Sequence, residues 1–307
     1  MGGFGGGAAE RSPPARSMLR PFELAEPTSV TEASALLARH GDTARLYAGG
    51  TELVLAMKEG LIHYDYLVNV KTIPGLAGIR RDGDGTLRIG AAATHRTIER
   101  DPLVREHFPV LARMETDVAN VRVRAVGTLG GNLCFAEPHS DPGALLQVFD
   151  ATARIQRSGG ERTVPLEALF VGPFETCLEG DELLTEIAVL PLSPRSAAAY
   201  LKFGYLERPS VGVAVAVTLD DGHVAGARVA VGSVGPVPRR MREAEALLAG
   251  TAIDGAGAAL AEAGRRAGRA ADAVSDLHGS AEFKEHLVGV LLARAFGQAL
   301  AALRGPG

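Results

Sequence analysis

Two double glycines, Gly49-Gly50 and Gly130-Gly131, set the tightest limits on how this chain folds. The first lies in Tyr47-Ala48-Gly49-Gly50-Thr51-Glu52-Leu53, after a run that reads as a strand and before one with helical spacing. A strand that ends in bare backbone and restarts as a helix lets N–H groups approach an anion. The helix start adds about half a positive charge there. Thr51 is placed to cap that helix or to donate to a phosphate oxygen. The second constellation, Gly127-Thr128-Leu129-Gly130-Gly131-Asn132, offers a hydroxyl, an amide and exposed N–H groups within six residues. A pyrophosphate needs such a set of aimed donors. Asp141, nine residues further on, either accepts from ligand hydroxyls or caps the helix that Pro142 opens. Each loop also has a plainer reading as a tight turn in which glycine supplies a positive φ.

Neither loop is a common nucleotide motif. There is no Gly-x-Gly-x-x-Gly opening a βαβ unit and no phosphate-loop Gly-Lys-Ser/Thr, which disfavours a Rossmann dehydrogenase and a nucleoside triphosphatase. A formal charge of −4, with basic residues only in short mixed runs such as Arg122–Arg124, gives no footprint for nucleic acid. Cys134 and Cys177 are too few for a disulfide framework or a four-thiolate cluster, and free thiols suit a reducing compartment. The histidines, His95, His107 and His139 among them, show no metal-ligand spacing, and no metal site is expected. Leu287–Leu303 is interrupted by Arg294 and Gln298 and reads as an amphipathic helix, so no membrane span is expected. Met1–Arg16 is rich in Gly, Ala and Pro without an apolar core, and residues 1–17 are read as a disordered leader. A cytoplasmic location follows as an expectation.

The pattern along the chain predicts an α+β protein of three units. The first, 18–75, has a helix started by Ser29 and Glu32 at capping-box spacing, a strand Ala44–Tyr47, a helix Thr51–Glu59 and a strand Tyr66–Val70. The second, 76–194, has a strand Thr86–Ile89, a helix that Thr94 caps, a helix near Val110–Val118, the second glycine loop, and strands near Ala151–Gln156 and Glu186–Leu190. The third, 195–307, has strands Tyr200–Tyr205, Val211–Leu219 and Val224–Val234, two of them joined by Asp220-Asp221-Gly222, and then three helices.

Taken in order, Ala48-Gly49-Gly50-Thr51, Ile89-Gly90-Ala91, Thr128-Leu129-Gly130-Gly131-Asn132, Ser140-Asp141, Leu183-Leu184, and Lys202 before Arg208 form one ordered set. With it the chain resembles the FAD-binding (medium) subunit of the xanthine dehydrogenase and carbon monoxide dehydrogenase family of molybdenum hydroxylases. The resemblance runs from about Arg20 to Leu303. It implies a vanillyl-alcohol-oxidase/PCMH-type FAD-binding fold of two α/β subdomains, plus a C-terminal domain of a three-stranded antiparallel sheet and three helices. It also implies that Leu46, Tyr47, Ala48, Gly49, Gly50, Thr51 and Glu52, together with Thr128, Gly130, Gly131 and Asn132, line the FAD diphosphate and ribityl chain. Gly90 and Ala91 would lie on the adenine side. Asp141, Leu184 and Lys202 would face the flavin or adenosine, and Cys134 would stand beside the isoalloxazine.

The same resemblance implies partners: a large molybdopterin-binding subunit and a small subunit with two [2Fe–2S] clusters, assembled as a dimer of heterotrimers. Electrons would run from molybdenum through the clusters to FAD and on to NAD, quinone or oxygen. No general base or nucleophile is assigned to this chain. Members that carry their own cluster have a cysteine-bearing insertion, which is missing here. CO-oxidising members tend to have His and Ser after the first double glycine, where Thr51 and Glu52 stand, so CO is not the substrate this pattern favours. Two other readings are a stand-alone FAD oxidase or dehydrogenase and a non-catalytic assembly subunit.

Overall fold

The computed structural model describes residues 19–204 and 208–304. The leader expected over 1–17 lies outside them, as does Tyr205. The first unit is a parallel sheet of β1 (Glu23–Ala25), β2 (Ala44–Tyr47) and β3 (Tyr66–Asn69) in the order β1-β3-β2, with helices α1 (Val30–His40) and α2 (Leu53–Lys58). Ser29 starts α1 by accepting the Glu32 N–H at 3.1 Å. The Glu32 carboxylate returns to the N–H of Thr28 at 2.8 Å, so the capping box is displaced by one residue. Ala33 and Leu37 of α1 pack on Val68, Val70 and Ile73, and this small core continues into Ala92 and Leu183 of the next unit.

The second unit begins with β4 (Ile79–Arg81) and β5 (Leu87–Gly90). Six short helices follow: α3 (His95–Arg100), α4 (Pro102–His107), α5 (Pro109–Asp117), α6 (Val121–Val126), α7 (Leu129–Phe135) and α8 (Pro142–Val148). It ends with β6 (Thr152–Arg157), β7 (Gly160–Pro165), the small pair β8 (Phe170–Gly172) and β9 (Glu175–Thr176), and β10 (Leu183–Val189). The antiparallel sheet has the order β4-β5-β10-β6-β7. Its central strand β10 is buried at every residue, Thr185 and Glu186 included, so no apolar–polar alternation marks it in the sequence.

The third unit is a sheet of β11 (Ser196–Phe203), β12 (Val211–Asp220), β13 (His223–Gly232) and β14 (Arg239–Arg240), followed by α9 (Arg242–Leu248), α10 (Gly257–Ala270) and α11 (Ala281–Arg304). The sheet has four strands and not the three expected. β14 is two residues long, and Arg240 is held by Asp150 and Glu245, so no apolar alternation announces it. Asp221 and Gly222, with φ of 44° and 73°, turn β12 into β13, and positive φ at both positions is what a type I′ hairpin turn requires.

Along β12, Val213, Val215 and Val217 face α9 to α11, while Ala214 and Ala216 face α8 together with Ala198 and Ala230. The alanine face lets α8 come close, and every residue of α8 is buried. Helix α11 is long and apolar enough to cross a membrane by length and composition. Its Val288, Leu292, Phe296 and Ala299 are instead buried against the valine face of the sheet.

Candidate cofactor-binding cleft

A cleft of about 640 Å³ lies where the first two units meet, within the size range of cofactor pockets. One wall is Leu46 and Ala48–Leu53, a second is Thr128 and Gly130–Asn132, and a third is the Phe174–Thr176 turn with Glu182 and Leu184. Glu137, His139, Ser140, Asp141 and Arg208 also border it. Of the residues expected around the ligand, all line the cleft except Tyr47, Gly90 and Lys202.

The glycines divide by job. A Cβ at Gly49 would lie 2.5 Å from the Val126 carbonyl and 2.6 Å from Gly127 Cα, so the two units touch backbone to backbone there. Gly50 has φ +70°, and a side chain would also strike the Tyr47 ring at 2.5 Å. Tyr47 therefore braces the turn from behind, beneath the Lys71 ammonium at 4.7 Å. Gly90 backs onto the Leu76 carbonyl, 2.2 Å from where its Cβ would be. The N–H groups of Gly50 and Thr51 have no hydrogen-bond partner among the described residues, and Thr51 does not cap α2, which starts at Leu53.

The second glycine constellation is not a loop. Thr128 caps α7, its hydroxyl accepting the Gly131 N–H at 3.0 Å, and Leu129–Asn132 form the first turn. The N–H groups of Leu129 and Gly130 are taken by Ala93 and Ala91 carbonyls at 3.0 and 2.9 Å. The backbone donors expected to meet a pyrophosphate here are thus satisfied internally. Gly130 is needed because its Cβ would lie 2.5 Å from that of Ala91. The Thr128 hydroxyl hydrogen and the Asn132 amide nitrogen stay available, with Asn132 Oδ1 fixed by Ser140 Oγ at 2.6 Å.

Asp141 does not cap α8: its backbone is already helical and its side chain makes no cap bond. Its carboxylate accepts from Tyr200 Oη at 2.7 Å and Lys202 Nζ at 2.9 Å. Burial pushes the Asp141 carboxyl up, and Lys202 and Tyr200 pull against it. Burial and the facing carboxylate push the Tyr200 phenol well above its usual range, so it remains a donor. Lys202 sits behind the cleft wall, its other contact being the Asp117 carbonyl at 2.6 Å.

Burial likewise pushes the Cys134 thiol up to about 12, which leaves it a neutral apolar wall and not a nucleophile. Among the described residues, no group of three or more His, Cys, Asp or Glu is arranged to hold a metal ion.

Sequence reasoning missed several lining residues. Phe174 has φ +61°, anchors its N–H on the Ala136 carbonyl at 2.8 Å, and meets Phe135 edge-on at 5.3 Å. Glu182 is held by both Arg162 nitrogens at 2.7 and 2.8 Å, and that guanidinium holds its carboxyl below the usual range. His95, which the sequence marked only as lacking metal-ligand spacing, is buried in the wall against Glu115. None of these had a local signal, since the contacts of Phe174, Glu182 and His95 are made across the fold.

This cleft joins free backbone donors at one seam to a long, partly apolar trough. An FAD molecule has the same make-up, with a doubly charged diphosphate between two flat ring systems, and the residues present fit it.

Residues 20–192 match the family described as FAD binding domain in molybdopterin dehydrogenase, and residues 207–299 that described as CO dehydrogenase flavoprotein C-terminal domain. The chain belongs to this family of FAD-binding subunits of molybdenum hydroxylases: it is an oxidoreductase component of PCMH-type fold whose own cofactor is FAD. Particular relatives include the carbon monoxide dehydrogenase medium chain of Hydrogenophaga pseudoflava, 33% identical over 91% of this chain and 97% of that one. The nicotine 6-hydroxylase medium subunit of Paenarthrobacter nicotinovorans is 31% identical over the same shares, 91% and 97%. The solved structure of carbon monoxide dehydrogenase from Hydrogenophaga pseudoflava superposes with a TM-score of 0.89 at 33% identity, covering 92% of this chain and 98% of that one.

Proposed function

We propose that this chain holds one FAD along the cleft and serves as the electron-transfer subunit of a heteromeric molybdenum hydroxylase. Its partners are a large molybdopterin-binding chain and a small [2Fe–2S] chain, assembled as a dimer of heterotrimers in the cytoplasm. The observation that carries this reading is the seam at Gly49-Gly50-Thr51, where unpartnered N–H groups open on a cleft of about 640 Å³. Main-chain donors fixed in advance meet a diphosphate without reorganisation. In this reading Leu46, Ala48, Glu52 and Asn132 lie along the diphosphate and ribityl chain, Ala91 is on the adenine side, Cys134 stands beside the isoalloxazine, and Asp141 and Leu184 face the flavin or the adenosine. FAD, when bound, supplies the redox chemistry, taking electrons from a partner's clusters and delivering them to an external acceptor. The chain's own contribution is to bind, orient and shield: it presents no nucleophile, and the Cys134 thiol stays protonated.

Purification of the chain with its genomic neighbours tests this reading. The expected result is a yellow complex with one FAD per copy of this chain and two unlike partners, of a mass that fits two heterotrimers. A folded chain that takes up no FAD ends the proposal. A yellow monomer that turns over a small substrate unaided replaces it.

A further inference from the structure

The cleft is lined by six carboxylates, of which Asp141, Glu179 and Glu182 are answered by Lys202, Arg157 and Arg162 outside the lining, leaving Glu52, Glu137 and Glu175 against the guanidiniums of Arg45 and Arg208. Such a field repels a dianionic diphosphate unless a cationic donor stands where the charge lands. Arg208 is already shared between Glu52 and Glu137, at 3.5 and 3.7 Å.

His95 opens α3 and is 2% exposed. Its backbone N–H donates to the Gly127 carbonyl at 3.0 Å, which pins the residue beside the seam. Its ring Nδ1 is 2.6 Å from Oε2 of Glu115 on α5, a side chain with no exposure at all. Glu115 Oε1 has no partner among the described residues. A carboxyl group buried that deeply needs a hydrogen-bond partner, and the imidazole Nδ1 is the group in contact.

The other ring nitrogen, Nε2, has no protein partner among the described residues, and His95 is part of the cleft lining. A Cβ placed on Gly127 would have His95 Cδ2 at 3.5 Å and Thr51 Oγ1 at 3.6 Å. The Cδ2 edge of the imidazole and the Thr51 hydroxyl therefore flank the same point beside Gly127, next to the first loop.

We propose that His95 is a binding residue for the diphosphate of FAD, donating from Nε2–H to a phosphate oxygen. Glu115 is then the positioning residue that holds the ring and keeps a proton on Nδ1. Together they present the cleft with an oriented side-chain N–H donor, a contact that neither glycine constellation supplies. The assignment rests on the FAD reading above and deepens it.

The test uses the full chain stripped of flavin and titrated with FAD and with lumiflavin, which has no phosphate. The protein is wild type, His95→Gln or Glu115→Gln, and unfolding of each apo form is followed alongside. His95→Gln is expected to weaken FAD about tenfold or more while leaving lumiflavin binding unchanged, since the flexible amide is at best a misplaced and weaker donor than the ring N–H that Glu115 orients. The 31P resonances of the FAD still bound should shift. Glu115→Gln should give a smaller loss of the same kind.

Unaltered FAD affinity in His95→Gln overturns the proposal. So does an equal loss of both flavins with unmoved 31P resonances, which marks a purely structural residue. Should the variants not fold, 15N spectra of wild-type protein decide: the His95 Nε2 resonance must move with FAD and not with lumiflavin, and an unmoved one overturns the assignment. Wild-type protein that takes up no FAD is a different failure and removes the earlier reading instead.

Discussion

Lys202 on β11 reaches Asp141 at the head of α8, its ammonium 2.9 Å from the carboxylate and 2.6 Å from the carbonyl of Asp117. One cation thus joins α5, α8 and the C-terminal sheet. Asp141 is 3% exposed, so removing its cation leaves a buried charge with only the Tyr200 hydroxyl for support. Lys202→Met is expected to cost about 3 kcal/mol of apo-protein stability, within the range for breaking a buried pair. Urea unfolding of the flavin-free protein checks this. Unchanged stability with lost FAD would make Lys202 a ligand of the cofactor and not a brace.

The two adjacent glycines of α7 should answer differently to substitution. Gly130→Ala drives a methyl to within 2.5 Å of Ala91 Cβ, with backbone close behind, and overpacking of this kind costs roughly 1–3 kcal/mol. A Cβ at Gly131 meets the Thr128 hydroxyl at 2.8 Å and Ala48 Cβ, on the facing wall of the cleft, at 3.8 Å, so Gly131→Val adds bulk between the two walls. The first variant should lower the apo melting temperature. The second should keep most of the fold and lose FAD, read as the flavin-to-protein absorbance ratio. Full flavin in Gly131→Val would move the ligand away from this helix.

Near the cleft, one polar cluster should lose the stabilisation its charge provides as the solution is acidified. Asp276 receives Lys284 Nζ at 2.6 Å and faces His139 Nε2 at 3.0 Å, and Lys284 is fully buried. Burial opposes the charge on Asp276, but Lys284, the His278 N–H and His139 outweigh it and hold the carboxyl at about 2, below the ordinary 3.8. A depressed value in the fold means a stabilisation that is complete above 3.8 and lost as the pH falls toward 2. Wild type should therefore melt higher than Asp276→Asn at neutral pH, and the gap should close across that acid window. A gap that persists below it would show that shape and not charge holds the cluster.

Much of this was written locally. The capping of α1 by Ser29 and of α3 by Thr94, the Asp221-Gly222 turn, and the Val/Ala alternation of β12 are short-range signals, and each is where the sequence puts it. What stayed hidden was contact across distance. Nothing around residue 130 says that Ala91 and Ala93 carbonyls arrive to occupy the N–H groups of α7 and turn an expected loop into a helix. Nor does residue 95 announce Glu115, twenty positions away. Asp141 followed by Pro142 reads as a cap, and only the arrival of Tyr200 and Lys202 shows its carboxylate turned elsewhere. The clustering of candidate residues was legible, whereas the partition between those that touch a ligand and those that brace the wall depended on tertiary packing.

Helix α8 lies against the alanine face of the C-terminal sheet while its first turn carries the Asp141 side of the cleft. That wedge makes the cofactor site and the last hundred or so residues a single inherited unit. A chimaera that takes its amino-terminal two-thirds from one family member and its tail from another would mismatch this seam. Shuffling among these subunits should succeed only where Asp141, Tyr200, Lys202 and the small residues beneath α8 travel as a set.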